Sequence, residues 1–153
     1  MAKAEWYEGK EGKAKHLVYL NSKAKELEKL LNREKTMIIR GAAGKKSPLG
    51  GRAKVGDDIY FVETGKDMTV THKGVLSKVI ESEKMTSDES VFFVKKYEKE
   101  LNLSKDQHER WAGKKILAVY EISDLKEIKP FHYNREKNMD DWIITDDISK
   151  LKL

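Results

Sequence analysis

Between Met37-Ile38-Ile39 and Ile59-Tyr60-Phe61-Val62, two apolar runs of strand length, the chain places five of its ten glycines, four of them within Arg40 to Arg52. The segment Arg40 to Arg52 reads Arg-Gly-Ala-Ala-Gly-Lys-Lys-Ser-Pro-Leu-Gly-Gly-Arg. Glycine at that density, with Pro48 inside it, supports neither a helix nor a regular strand, so this is a loop joining two strands. Glycine also lets a ligand approach the main chain closely. Gly44 does so here beside Lys45, Lys46 and Arg52, which supply positive charge, and Ser47, which supplies a hydroxyl. A phosphate or a polar base suits such a loop.

The charge distribution points the same way. The chain of 153 residues carries a formal net charge of +5, and the window Arg33–Lys54 holds seven basic residues (Arg33, Lys35, Arg40, Lys45, Lys46, Arg52, Lys54) against one acid, Glu34. The rest of the chain nearly balances. A compact positive region attracts nucleic acid through phosphate contacts and counterion release, although a basic surface also serves plain solubility. With no cysteine there is no disulfide, no zinc–thiolate site and no cysteine nucleophile. No apolar run reaches the length of a signal-peptide core or a membrane span, so no membrane partner is expected and a cytoplasmic location is.

Residues 1–15 alternate Lys and Glu around Trp6 and Tyr7 and read as an N-terminal tail; residues 16–153 read as a single domain. His16–Leu20 is a first strand. Asn21 or Ser22 caps a helix running to about Arg33, with Ala24, Leu27, Leu30 and Leu31 on one face. Thr36–Ile39 is a second strand, apolar enough to be covered on both sides. Val55-Gly56-Asp57-Asp58 is a turn into the strand Ile59–Glu63, and Thr64-Gly65-Lys66-Asp67 turns the chain into a long strand, Met68 to about Ile80. Gly74 interrupts that strand and marks a bulge or bend of the kind that curls a sheet into a barrel.

Thr86-x-x-Glu89 and Ser104-x-x-Gln107 are capping boxes. The first opens a helix with Val91, Val94, Tyr97 and Leu101 along one side. The second opens a short helix through Arg110 and Trp111 to Gly113. Ile116–Ile122 is the strongest strand signal, a further strand is expected at Ile128–Tyr133, and Trp142, Ile143, Ile144 and Ile148 are core candidates near the end. These elements describe an α+β domain, best drawn as a small, strongly bent β-barrel with helices over its openings.

Several chemistries fail on spacing. Gly44-Lys45-Lys46-Ser47 is not a nucleotide-binding P-loop: Gly41 precedes Gly44 by three residues instead of five, and Pro48 with Gly50-Gly51 stands where the phosphate-holding helix should begin. His16, His72, His108 and His132 are scattered, with no partner at ligand spacing, and no cofactor is expected. The pairs Asp57-Asp58, Asp140-Asp141 and Asp146-Asp147 read as turn and capping residues. At Arg110-Trp111-Ala112-Gly113-Lys114-Lys115 an indole sits among three basic residues, a composition that suits a base stacked on the ring with phosphates held by the cations. The same residues also describe a tryptophan plugging a barrel end ahead of a glycine C-cap.

Taken together, the strand entering a glycine–lysine loop, Arg52, the run Val55-Gly56-Asp57-Asp58-Ile59-Tyr60-Phe61 and the glycine-interrupted strand after it resemble the PUA-like superfamily, in particular its ASCH branch, over about Leu17 to Phe131. The resemblance implies a PUA-like β-barrel with flanking helices and a cleft, lined by the glycine–lysine loop, that binds RNA or modified nucleosides. Some small ASCH proteins remove the acetyl group from acetylcytidine, and others have been described as ribonucleases. In the amidohydrolase pattern, Gly-Lys-Lys-Thr-x-Thr, Lys46 matches the catalytic lysine, Leu49 stands where the nucleophilic threonine belongs, Ser47 is a displaced candidate, and Glu81 is a positional candidate for the acid. Two readings follow. In one, Arg40, Gly44, Lys45, Lys46, Ser47, Arg52, Lys54, Arg110, Trp111, Lys114 and Lys115 bind RNA or another nucleic acid. In the other, Lys46, Ser47 and Glu81 serve a small hydrolase acting on a modified nucleoside or on RNA.

Overall fold

The structure, a computed structural model, describes residues 13–42, 49–65, 67–134 and 142–153. In chain order the elements are β1 (Lys15–Leu20), α1 (Glu26–Leu31), β2 (Met37–Ala42), β3 (Asp58–Glu63), β4 (Thr69–Glu81), α2 (Ser87–Lys96), α3 (Glu98–Leu101), α4 (Lys105–Trp111), β5 (Ile116–His132) and β6 (Trp142–Thr145), followed by a 3₁₀ turn at Ile148–Leu151. The strands form one sheet in the order β2-β5-β4-β3-β1-β6, antiparallel except for the parallel pair β1 and β3.

The sheet is coiled into a half-barrel, and its apolar residues divide accordingly. Val18 and Leu20 of β1, Ile38 of β2, Ile59 and Phe61 of β3, Leu76 of β4, Ala118 and Tyr120 of β5 and Trp142 of β6 share one interior cluster to which every strand contributes. Alternate residues point out. Met37, Ile39, Leu117 and Val119 pack beneath Val94, Leu101 and Trp111 of the helices. Leu17, Tyr19, Tyr60 and Val62 meet Ile128, Phe131, Tyr133 and Ile148 on another part of the outer face. Burial on both faces is why β1, β2 and β3 read as continuous apolar runs instead of alternating ones.

Gly74 lets the long antiparallel β4–β5 pair bend. The register with β5 slips between Lys73 and Val75, and a Cβ at Gly74 would lie 2.9 Å from Ile122 Cγ2 and 3.0 Å from the Ser123 carbonyl oxygen. Where the sheet's two ends face each other, the Arg40 Nη2 of β2 donates to the Tyr19 carbonyl of β1 at 2.6 Å, and its guanidinium lies 5.6 Å from the Trp142 ring centroid of β6. One side chain thus bridges the seam that backbone pairing leaves open.

Both capping boxes form as read, at Thr86/Glu89 and Ser104/Gln107. Four expectations are corrected. The first helix begins at Glu26, because Asn21 Oδ1 accepts from Ala24 N–H at 3.0 Å in a preceding turn, and so short a helix leaves Leu31 45% exposed. The helix from Thr86 stops at Lys96 and restarts as α3, which puts Leu101 in the core but turns Val91 to solvent. The two expected strands at Ile116–Ile122 and Ile128–Tyr133 are one 17-residue strand; pairing with β4 carries it through the polar stretch Ser123–Glu127, with Asp124 at φ 51. Asp57 ends the expected turn but Asp58 is the first residue of β3, both are buried, and Lys15, assigned to the tail, is the first residue of β1.

Several buried polar residues find partners across the fold. Trp142 Nε1–H donates to His16 Nδ1 at 2.9 Å, and Asp57 Oδ2 lies 2.8 Å from His16 Nε2 and accepts Lys54 N–H at 3.0 Å. Lys15 Nζ lies 3.4 Å from Asp58 Oδ2. Lys35 Nζ lies 3.4 Å from Glu26 Oε2 and also donates to the Leu101 carbonyl, tying α1 to the end of α3. Among the described residues no helix is long and apolar enough to cross a membrane, and no group of three or more metal-ligating side chains gathers.

Candidate nucleic-acid interface

Antiparallel pairing of β2 with β5 puts the end of one strand beside the start of the other: Ala42 is in register with Ile116. The glycine–lysine loop therefore leaves β2 next to the segment that carries Lys114 and Lys115, both exposed. A Cβ at Gly41 would lie 2.5 Å from Leu117 Cδ2 and 3.5 Å from Lys114 Cβ, so glycine is needed there for close approach. Gly44, Lys45, Lys46 and Ser47 lie outside the described residues.

One row further into the barrel, Arg40, Ala118 and Glu81 are in register across β2, β5 and β4. Ala118 faces the interior cluster, and cross-strand partners share a face, so Arg40 and Glu81 point inward on either side of a small residue. The Glu81 carboxylate accepts Gly50 N–H at Oε1 and Gly51 N–H at Oε2, each at 3.0 Å. Both glycines are left-handed, at φ 86 and 76, a pairing of successive conformations that turns adjacent amides toward one anion. Glu81 thereby anchors the far end of the loop. Tyr120, also interior, has a fully buried hydroxyl with no hydrogen-bond partner among the described residues; burial first, then the Glu81 carboxylate, hold the phenol in its protonated form, while Arg40 opposes them. Arg40 Nη1 donates to the Ile39 carbonyl at 2.7 Å, and its Nε has no partner among the described residues.

Beyond the loop, Arg52 and Lys54 are exposed. Trp111 departs from its expected role as a stacking platform. It is only 6% exposed, packed on Met37, Ile39 and Leu117, and the Arg110 guanidinium sits 4.5 Å from its ring centroid. The helix–sheet core takes most of the indole, and Arg110 covers the ring where a base was expected.

Arg40 and Arg110 meet instead at a second feature. At the seam, Tyr19, Asn21, Glu26, Arg40, Thr64, Gln107, Arg110 and Trp111 line a pocket of about 270 Å³. Asn21, Glu26 and Gln107 carried no binding signal in the sequence. Gln107 was legible only as the third residue of a capping box, and Glu26 only as one charge on the solvent face of a helix, yet it is 3% exposed.

No protein-family model matches the sequence, and no curated protein matches it. Solved structures do. The crystal structure of the ASCH protein from Zymomonas mobilis matches with a TM-score of 0.61 at 14% identity, covering 91% of this chain and 96% of that one. A tyrosine-to-phenylalanine and a serine-to-alanine variant of the same protein match at 0.61 and 16% identity, covering 90% of this chain and 95% and 93% of theirs. This chain has an ASCH-type, PUA-like fold. Within this ASCH-type barrel, Gly41 and Gly50–Gly51 at the two ends of the loop, Glu81 and Lys114–Lys115 belong to one mouth, and the pocket of Arg40 and Arg110 belongs to the seam.

Proposed function

We propose that this ASCH-type protein binds nucleic acid, RNA foremost, at the barrel mouth around the glycine–lysine loop. The observation that carries the reading is the register of Ala42 with Ile116, which brings the root of that loop beside Lys114 and Lys115. Two basic segments far apart in sequence then act on one ligand. Lys45, Lys46, Arg52, Lys54, Lys114 and Lys115 engage phosphates, while Gly44 and Ser47 hydrogen-bond a base or phosphate. The neighbouring Tyr120 hydroxyl, a buried donor without a partner among the described residues, suits the carbonyl oxygen of a splayed base, the usual way single-stranded RNA is read. Filter binding of a Lys45→Glu, Lys46→Glu, Arg52→Glu variant tests it. Affinity and the steepness of its salt dependence should both fall; unchanged values sink the proposal.

One observation favours a second reading, hydrolysis of a modified nucleoside or of RNA. Glu81, the positional candidate for the acid, binds the Gly50 and Gly51 amides at the end of the loop that carries Lys46 and Ser47. Incubation with acetylcytidine and with mixed RNA separates the readings: released acetate or cut strands establish an enzyme, and binding without turnover leaves the binding module.

A further inference from the structure

We infer that the seam pocket is a binding site for a phosphoryl group, distinct from the barrel mouth. The character of its wall follows from how the surrounding turns are capped. Asn21 commits Oδ1 to Ala24 N–H at 3.0 Å, and Gln107 commits Oε1 to Ser104 N–H at 3.2 Å. With each amide oxygen fixed, the remaining polar function of both side chains is an NH₂ donor. Thr64 Oγ1 accepts Ser22 N–H at 3.2 Å, which leaves its hydroxyl hydrogen to donate. Arg40 is 8% exposed, lines the pocket, and has an Nε without a partner among the described residues. Arg110 adds a second guanidinium, held over Trp111.

Among the described residues the wall contains one carboxylate, Glu26, and its oxygens are engaged: Oε1 accepts Asn21 N–H at 2.8 Å and Oε2 faces Lys35 Nζ at 3.4 Å. Apart from Glu26, the polar side chains of the described wall are donors, two of them guanidiniums. A nucleobase, which mixes donors and acceptors, would leave some of these groups facing its own N–H edges, whereas a phosphoryl group offers only acceptors and pairs with guanidinium geometry. A space of about 270 Å³ holds one such group with part of its substituent. Two sources share this chemistry, a terminal phosphate and an internal phosphodiester of a strand. The inference does not depend on RNA binding at the mouth.

Titration of the protein with inorganic phosphate, followed by calorimetry, tests it. Gln107→Glu is the decisive variant: Ser104-x-x-Glu is still a capping box, so the helix keeps its start while a donor becomes a carboxylate. Phosphate should bind the native protein and bind about tenfold or more weakly to Gln107→Glu and to Arg110→Ala, the loss expected for a charge-assisted hydrogen bond. Adding Gln107→Glu to the Lys45→Glu, Lys46→Glu, Arg52→Glu variant should weaken phosphate binding by the same factor as in the native protein. A 5′-phosphorylated RNA oligomer binding more tightly than its 5′-hydroxyl counterpart, with the preference erased by Gln107→Glu, assigns the site to a terminal phosphate. Equal binding of the two, equally weakened by Gln107→Glu, assigns it to an internal diester. Absence of phosphate binding, affinity unchanged in both pocket variants, or affinity lost only in the loop variant overturns the inference.

Discussion

His16 accepts the indole N–H of Trp142 at Nδ1, 2.9 Å away, and so carries its own proton on Nε2, where it donates to Asp57 at 2.8 Å. A protonated imidazole would aim a second N–H at the indole donor, so the site admits only the neutral ring. Burial acts in the same direction, lowering the His16 pKa below 6.5 and outweighing the opposing pull of Asp57. The contact is a hydrogen bond to a carboxylate and not an ion pair.

A pH dependence follows from that neutral ring. The unfolded chain takes up a proton on this histidine near pH 6.5 while the native state does not, so stability from this residue is complete above that value and declines as pH falls toward the lowered native pKa. Denaturant midpoints compared between about pH 7 and 5 for the native protein and His16→Gln should converge as pH falls, because the variant lacks this one contribution. Parallel profiles would show that the ring titrates normally in the fold.

Glu26 and Lys35 form a buried pair whose members depend on each other. Burial lowers Lys35 to about 8, with Glu26 opposing the shift. Between about 8 and 10.5 the unfolded state binds the Lys35 proton more strongly than the native state, so stability from this residue rises with pH across that window. Glu26→Gln and Lys35→Met should each cost on the order of 3–5 kcal/mol by stranding a buried partner. The double variant should cost far less than the two singles added, which unfolding of all four proteins measures.

Glycine is required for different reasons at two positions of the mouth. Gly41→Ala puts a methyl 2.5 Å from Leu117 Cδ2 and 2.9 Å from the Ile116 carbonyl, and should destabilise by about 1–3 kcal/mol through overpacking. Gly51→Ala meets nothing within 4 Å but must hold φ +76, and should cost about 1 kcal/mol as backbone strain. Thermal midpoints of the two variants should therefore fall in that order.

Glu81 should control the order of the loop's far end. Glu81→Ala removes both acceptors from Gly50 and Gly51, and amide exchange at these two residues should accelerate by roughly 5–30-fold, the equivalent of 1–2 kcal/mol per opened bond. Exchange that does not change would mean that the carboxylate does not hold the loop.

Much of the fold was legible because local chemistry and tertiary structure agree. Met37–Ile39 and Ile59–Val62 are apolar at every position because both of their faces are covered. Thr86 and Ser104 cap their helices with groups three residues away, an interaction that needs no distant partner. Legibility ended where the outcome depended on what a segment meets. Ser123–Glu127 is too polar to read as a strand, yet β4 supplies its backbone partners. Trp111 among basic residues reads as a platform for a base, yet Met37, Ile39 and Leu117 claim its surface.

The candidate site divides along the same line. The sequence by itself determined the glycine–lysine loop, its charge and its place between two strands, because glycine content and basic side chains are properties of consecutive residues. Only the tertiary structure decided that Lys114 and Lys115 stand beside the loop's root, that Glu81 receives its terminal glycine amides, and that Arg40, Gln107 and Arg110 face one pocket. Those relationships arise from strand register and from the coiling of the sheet, which bring together residues that no spacing along the chain connects.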